Sequence, residues 1–214
     1  MTDITNIEAS QRVLAHLHEG RLVQGSWHTE KGGREFACLL GAISPHIESP
    51  RHCPASVMPH WLSQFTVSLF DGQDMAAAMT WAGRFAEQMQ RWHVLGDSSW
   101  SRVWESFCLE CVADARRSAR AAEAAAAAAA ADAADAARAA AESAARSAAK
   151  AAAAAADDAV AVYAAAVYAA DAADDASAAA ADDDAVADAA RQACWTRMAT
   201  ALCDLIDAEL EAVK

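Results

Sequence analysis

Apolar and polar positions follow two different rules along this chain. Up to residue 96, bulky apolar residues come in short runs separated by glycine, proline and polar turns. Beyond it they recur every three or four residues in two stretches, one before and one after a long alanine tract. All eight glycines lie at or before Gly96 and all four prolines at or before Pro59, so the second part contains no helix breaker. The change predicts a compact N-terminal domain over 1–96 and a helical region over 97–214.

Within the first part, "IEASQRVLAHLHEG" puts Ile7, Val13, Leu14 and Leu17 at helical spacing, and Gly20 is placed to close the helix. Lys31-Gly32-Gly33-Arg34 is a turn signal that predicts a hairpin between 23–28 and 35–40, unless the second of these segments opens a buried helix. "SPHIESPRHCPASVMP" reads as loop. Pro59 suits the first turn of a helix with Trp61, Leu62, Phe65 and Leu69 on one face, ended by Asp71-Gly72. Asp74 then caps a helix that carries Met75, Met79, Ala82, Phe85 and Met89 along one side.

In the second part, Asp97 or Ser98 caps a helix whose stripe is Trp100, Val103, Trp104, Phe107, Cys108, Cys111 and Val112. A matching stripe near the end holds Trp195, Met198, Ala199, Leu202, Leu205 and Ile206. Roughly two thirds of residues 119–190 are alanine, the strongest helix former. Arg138, Glu142, Arg146 and Lys150 fall four apart, a spacing that supports a helix. Neither stripe has another partner of its own length, so the two are expected to bury each other. With centres near 106 and 203, antiparallel pairing places a turn about halfway, near 155–158. Asp157-Asp158 there suits a helix start, and Arg146 and Lys150 suit the preceding helix end. Asp182-Asp183-Asp184 is a candidate cap for a separate last helix. The fold class expected is therefore mainly α: a small helical or α+β domain followed by a long antiparallel alanine-rich helical hairpin. One continuous helix that dimerises is the main competitor.

Charge changes the picture most after residue 150. The net charge is −13 and the isoelectric point about 4.8, which disfavours direct binding to nucleic acid or to an anionic membrane. Residues 157–190 hold nine aspartates and no lysine or arginine, whereas the rest of the chain is nearly balanced. On a helix, nine charges from 157 to 188 would span ~47 Å, about one per 5 Å. Duplex DNA carries one per ~1.7 Å. Full mimicry of a duplex is thus not expected, but partial occupation of a basic protein groove is. Asp171, Asp174, Asp175, Asp182, Asp183 and Asp184 are the candidate partner-binding residues of this arm. Trp27 and Trp92, which sit beside polar neighbours, are candidate interface anchors, with a half-buried cap over the core the plainer reading of each. Solubility of an alanine rod is the plainer account of the aspartates.

Candidate chemistry is sparse. Cys108-x-x-Cys111 is half of a metal or redox motif, and His52-Cys53 would be needed to complete a zinc set; core packing is the better reading of these thiols. Ser26, His28 and Glu30 alternate in a nucleophile–base–acid order, but no oxyanion hole or strained elbow accompanies them. Cys38 and the seven histidines suggest no specific pair. No glycine-rich phosphate loop is present. The expectation is a protein without enzymatic activity, cofactor or metal. A cysteine- or zinc-dependent enzyme and a purely structural rod are the alternatives. An ice-binding rod would need a regular threonine face, and 119–190 has no threonine. The start "MTDITNIEAS" lacks the basic and apolar regions of a signal peptide, and no window of bulky apolar residues is long enough to span a membrane, so a cytoplasmic location is expected.

The segment "QGSWHTEKGGREFACLLGAISP…CPASVMPHWLSQFTVSLFDG" resembles uncharacterised bacteriophage and prophage proteins in which such a domain precedes a long alanine-rich tract. The resemblance spans about residues 20–115 and brings no catalytic residues. It implies an accessory phage protein, acting in the host cytoplasm as monomer or homodimer. Its expected partner is a basic protein surface, such as one in a nucleic-acid-binding complex, which it would block in the manner of an anti-CRISPR protein.

Overall fold

The structure, a computed structural model, describes residues 4–129 and 184–214, with side chains over 4–121 and 188–214. Among these residues the chain is mainly helical, with one two-stranded sheet. It divides into two compact units, Met1–Trp104 with Ala199–Lys214, and Glu105–Met198. The first therefore takes in more than the expected 1–96: it adds the opening turns of one long helix and the closing turns of another.

Helix α1, Asn6–His18, starts in a capping box. The Thr5 hydroxyl accepts from the Glu8 amide (3.2 Å), and the Glu8 carboxylate accepts from the Thr5 amide (2.9 Å). Gly20, at φ +62°, follows its end as expected. The buried face is Ala9, Ser10 and Val13, so the expected stripe is rotated and Ile7 lies exposed.

The turn at Gly32-Gly33 forms as predicted. Both glycines have positive φ (+63° and +72°), the conformation that a two-residue hairpin loop needs. Strands β1, His28–Lys31, and β2, Arg34–Ala37, pair with Lys31 opposite Arg34. That register brings the first strand directly against the loop, later than the expected 23–28. The 35–40 segment satisfies both expectations in turn: strand to Ala37, then helix α2, Leu39–Ile43, wholly buried. Cys38 caps α2 with its sulfur, which accepts from the Gly41 amide (3.4 Å). Gly41 cannot carry a side chain, because a Cβ would lie 2.2 Å from the Trp27 carbonyl oxygen.

Helix α3, His60–Asp71, follows Pro59 and buries Leu62, Phe65, Leu69 and Phe70. Helix α4, Met75–Met89, is capped by Asp74, whose carboxylate accepts from the amides of Ala76 (2.9 Å) and Ala77 (3.0 Å). Its buried face is Ala78, Trp81, Ala82, Phe85 and Met89, so Met75 faces outward rather than joining the stripe. Helix α1 packs on α2 and α4, and α3 on α2 and α4.

Helix α5, Asp97–Ala129, begins one residue earlier than expected. The Gly96 carbonyl accepts from Ser99 (3.0 Å) and Trp100 (3.1 Å), so Gly96 holds the cap position and Asp97 lies in the first turn. Its buried positions are Ser99, Val103, Phe107, Cys111, Asp114, Ala115, Ser118 and Ala119, at steps of about four. Helix α6, Asp184–Ala212, buries Cys194, Trp195, Met198, Ala199, Leu202, Cys203, Ile206 and Leu210.

In the first unit, the end of α6 is fastened to α4. The Trp81 indole donates to the Ala199 carbonyl (2.9 Å) and the Gln88 amide to the Cys203 carbonyl (2.8 Å). Arg84 bridges Asp204 (2.6 Å) and Asp207 (2.8 Å), and Arg91 reaches Asp207 (3.1 Å). Arg102 of α5 makes a two-pronged pair with Glu209 (2.9 and 2.7 Å). In the second unit, Asp114 of α5 accepts from Arg197 of α6 (2.8 and 3.1 Å). The residue numbers of the Arg102–Glu209 and Asp114–Arg197 pairs both add to 311. Each pair, within its own unit, falls two residues from the 309 set by stripe centres at 106 and 203. The expected turn near 155–158 lies outside the described residues.

Candidate functional site

Of the residues expected to bind a partner, Asp171, Asp174, Asp175, Asp182 and Asp183 lie outside the described residues. Asp184 is the first described residue of α6, and its side chain is undescribed. Trp27 is half-buried in the segment before β1. Trp92, expected as a candidate anchor or a half-buried cap, is only 2 % exposed and so is a core residue rather than an anchor. It follows Phe85 and Met89 at helical spacing, and the 3₁₀ turn Trp92–Val94 carries that buried face onward past the end of α4. Its ring meets Phe85 (5.0 Å, 85°) and Trp100 (5.3 Å, 87°) edge-on. Its indole nitrogen is buried and has no hydrogen-bond partner among the described residues.

These contacts belong to a larger aromatic cluster in the first unit. Trp61 of α3 lies against Trp104 (4.9 Å, 51°) and Trp100 (6.4 Å, 71°) of α5. Phe65 lies 6.0 Å from Trp104. Trp81 and Phe85 extend the chain of rings along α4. On one side this cluster opens into a groove of about 520 Å³. Trp61, Trp92, Trp100 and Trp104 form its aromatic wall, and residues 55–59, Asn6, His93, Leu95, Asp97 and Ser101 the remainder. Trp61, Trp100 and Trp104 are half-buried, so each keeps accessible ring surface. The Asn6 amide donates to the Val57 carbonyl and fixes the loop side of the groove. Asp97 is exposed, and its carboxylate makes no hydrogen bond or ion pair among the described residues. His93 donates from Nδ1 to the Gln90 carbonyl (3.1 Å).

Periodicity placed Trp61, Trp100 and Trp104 on core faces and missed this groove. The available signal was that Trp100 and Trp104 stand one turn apart beside the charged start of the same helix.

The residues considered for catalysis are engaged elsewhere. The Ser26 hydroxyl donates to the backbone carbonyl of His28 (3.3 Å), not to its ring. The His28 ring lies between the Glu35 carboxylate (3.1 Å) and the Ile47 carbonyl (3.2 Å). Ser26, His28 and Glu30 therefore do not assemble as a relay. Burial pushes up every cysteine thiol: to about 12 at Cys53, Cys194 and Cys203, to about 11 at Cys108, and upward at Cys38 and Cys111. A raised thiol is protonated at neutral pH and is a poor nucleophile or metal ligand. Among the described residues no three His, Cys, Asp or Glu side chains stand close enough to hold a metal ion.

Asp114 is the polar residue that periodicity missed. It is 1 % exposed and accepts from Arg197, from Arg117 (3.2 and 3.0 Å) and from the Cys194 thiol (3.0 Å). Burial alone would raise its carboxyl; the bonds from Arg197, Cys194 and Arg117 outweigh this and hold it below the usual carboxylate range. The cluster joins α5 to α6 within the second unit and is structural in character.

No protein-family model, curated protein or solved structure matches this chain. Among the described residues no helix is long and apolar enough to cross a membrane.

Proposed function

We propose that this chain is a non-enzymatic binding protein that docks its acidic tract on a basic protein surface of a nucleic-acid-handling complex and blocks it. One observation carries the reading. Nine aspartates and no lysine or arginine occupy 157–190, while the remaining residues hold 21 acidic and 17 basic side chains. Charge segregated to that degree acts at a distance, steering the tract toward positive surfaces and away from nucleic acid itself. The raised thiols and the dispersed Ser26, His28 and Glu30 are consistent with binding rather than turnover. The resemblance to phage accessory proteins suggests that the target belongs to the host or to its defences.

The test is affinity capture from bacterial lysate at 50 and 500 mM salt, with the wild-type protein and a variant carrying asparagine at all nine aspartates. Basic, nucleic-acid-associated proteins should be captured by the wild type, released by high salt and by competing duplex DNA, and missed by the variant. Equal capture by the variant, or capture of no basic protein, would refute the proposal.

A further inference from the structure

The geometry points to the tryptophan-lined groove as a site for an arginine or lysine side chain of a basic polypeptide. The inference rests on the proposed function for the kind of partner, and on the groove alone for the kind of contact. Indole faces carry negative potential and attract guanidinium and ammonium groups. Here the rings of Trp61, Trp100 and Trp104 stand at 51° and 71° to one another. They make a corner that embraces a compact cation, not the flat platform on which a sugar ring stacks. A chain with three or four methylenes covers such apolar wall while its charged head reaches the rim. At the rim stands Asp97, an exposed carboxylate with no partner among the described residues. Its full negative charge outweighs the half positive charge at the start of α5, on which it sits. His93 is the other ionisable side chain lining the groove, and its Nδ1 is bonded to the Gln90 carbonyl.

The probe is acetyl-arginine amide, titrated into the ¹⁵N-labelled full-length protein while the seven indole N–H signals are followed by NMR. Acetyl-norleucine amide supplies a chain of similar length without charge, and cellobiose a sugar. The arginine probe should move the signals of Trp61, Trp100 and Trp104 and leave Trp27 and Trp195 in place. It should bind at least roughly threefold tighter than the norleucine probe. Asp97→Asn should weaken it roughly two- to fivefold, and Ser101→Lys, an exposed change at the groove wall, should abolish it by placing an ammonium group inside. Both variants leave the core intact. Equal response to norleucine, a stronger response to cellobiose, or no response in these three signals would overturn the assignment. A silent groove in a protein that still shows salt-sensitive capture through its aspartates would remove this inference and leave the proposed function standing. A responsive groove in a protein that captures nothing basic would do the reverse.

Discussion

Replacing Asp114 by alanine removes the carboxylate that, among the described residues, ties α5 to α6 in the second unit. Three donors lose their acceptor: the guanidinium groups of Arg197 and Arg117, and the Cys194 thiol. Severing a fully buried ion pair costs about 3–5 kcal/mol because the surviving charge stays buried. That figure is an upper bound here, since the Arg197 and Arg117 side chains are 47 % and 54 % exposed and water can solvate them once released. What remains is the loss of charge-assisted bonds at a site 1 % exposed, one of them two-pronged, for an expected destabilisation of about 2–3 kcal/mol. Asp114→Asn keeps the shape and loses the charge, and should cost less. Urea unfolding followed by circular dichroism measures both. The pH dependence supplies a sharper check. The folded-state pKa of Asp114 is lowered, so its contribution is fully present above the unfolded value of about 3.9 and is lost as pH falls through the folded value. Wild type and Asp114→Ala should therefore differ most at neutral pH and converge on acidification below about pH 4. A difference under about 0.5 kcal/mol at pH 7, or one that persists unchanged at low pH, would refute the reasoning.

Gly41→Ala should destabilise the first unit by about 1–3 kcal/mol or more, because its Cβ meets the Trp27 carbonyl oxygen and one backbone segment must move; thermal unfolding reads this, and an unchanged midpoint would contradict the close approach of Trp27 to α2. Thr5→Ala breaks the capping box of α1 and should cost about 1 kcal/mol in urea unfolding. Thiol labelling at pH 8 should be slow at every native cysteine, roughly 100-fold or more below a free thiol, with half-buried Cys108 modified first. A thiol that reacts within seconds at neutral pH would revive the cysteine-enzyme alternative.

The elements legible from residue order were those governed by local chemistry. Asp74 capped its helix, and Gly32-Gly33 made the turn, because a carboxylate beside free amides and a residue at positive φ need no distant partner. The partners of the two stripes were legible in part: Arg102 meets Glu209 and Asp114 meets Arg197, each close to the expected sum, but α6 also packs on α4 and Trp104 on α3, partners that spacing does not reveal. Rotation of the faces was less so. Ile7 and Met75 match helical spacing yet point outward, since burial is decided by the neighbouring helix and not by the stripe alone. Asp114 was missed for a related reason: an acid beside arginines in "ADARR" looks like a solvated face, and only Arg197, far along the chain, makes it internal. The groove escaped notice because half-buried tryptophans and core tryptophans have the same spacing. Trp92 is buried more deeply than the polarity of its neighbours suggests, because the face continued from α4 brings it in.

The antiparallel pairing of α5 and α6 within one molecule is most directly tested by a distance between Arg120 and Arg191, whose numbers also add to 311 and whose side chains reach solvent. Spin labels introduced there through noncanonical residues, leaving the native cysteines untouched, can be read by double electron–electron resonance. The account predicts a separation of roughly 15–25 Å, helices about 8–10 Å apart plus the label arms. The distance should survive dilution with unlabelled protein. A separation near 107 Å, the length of 71 residues of unbroken helix at 1.5 Å each, would contradict the pairing, and so would a short distance that vanishes on dilution.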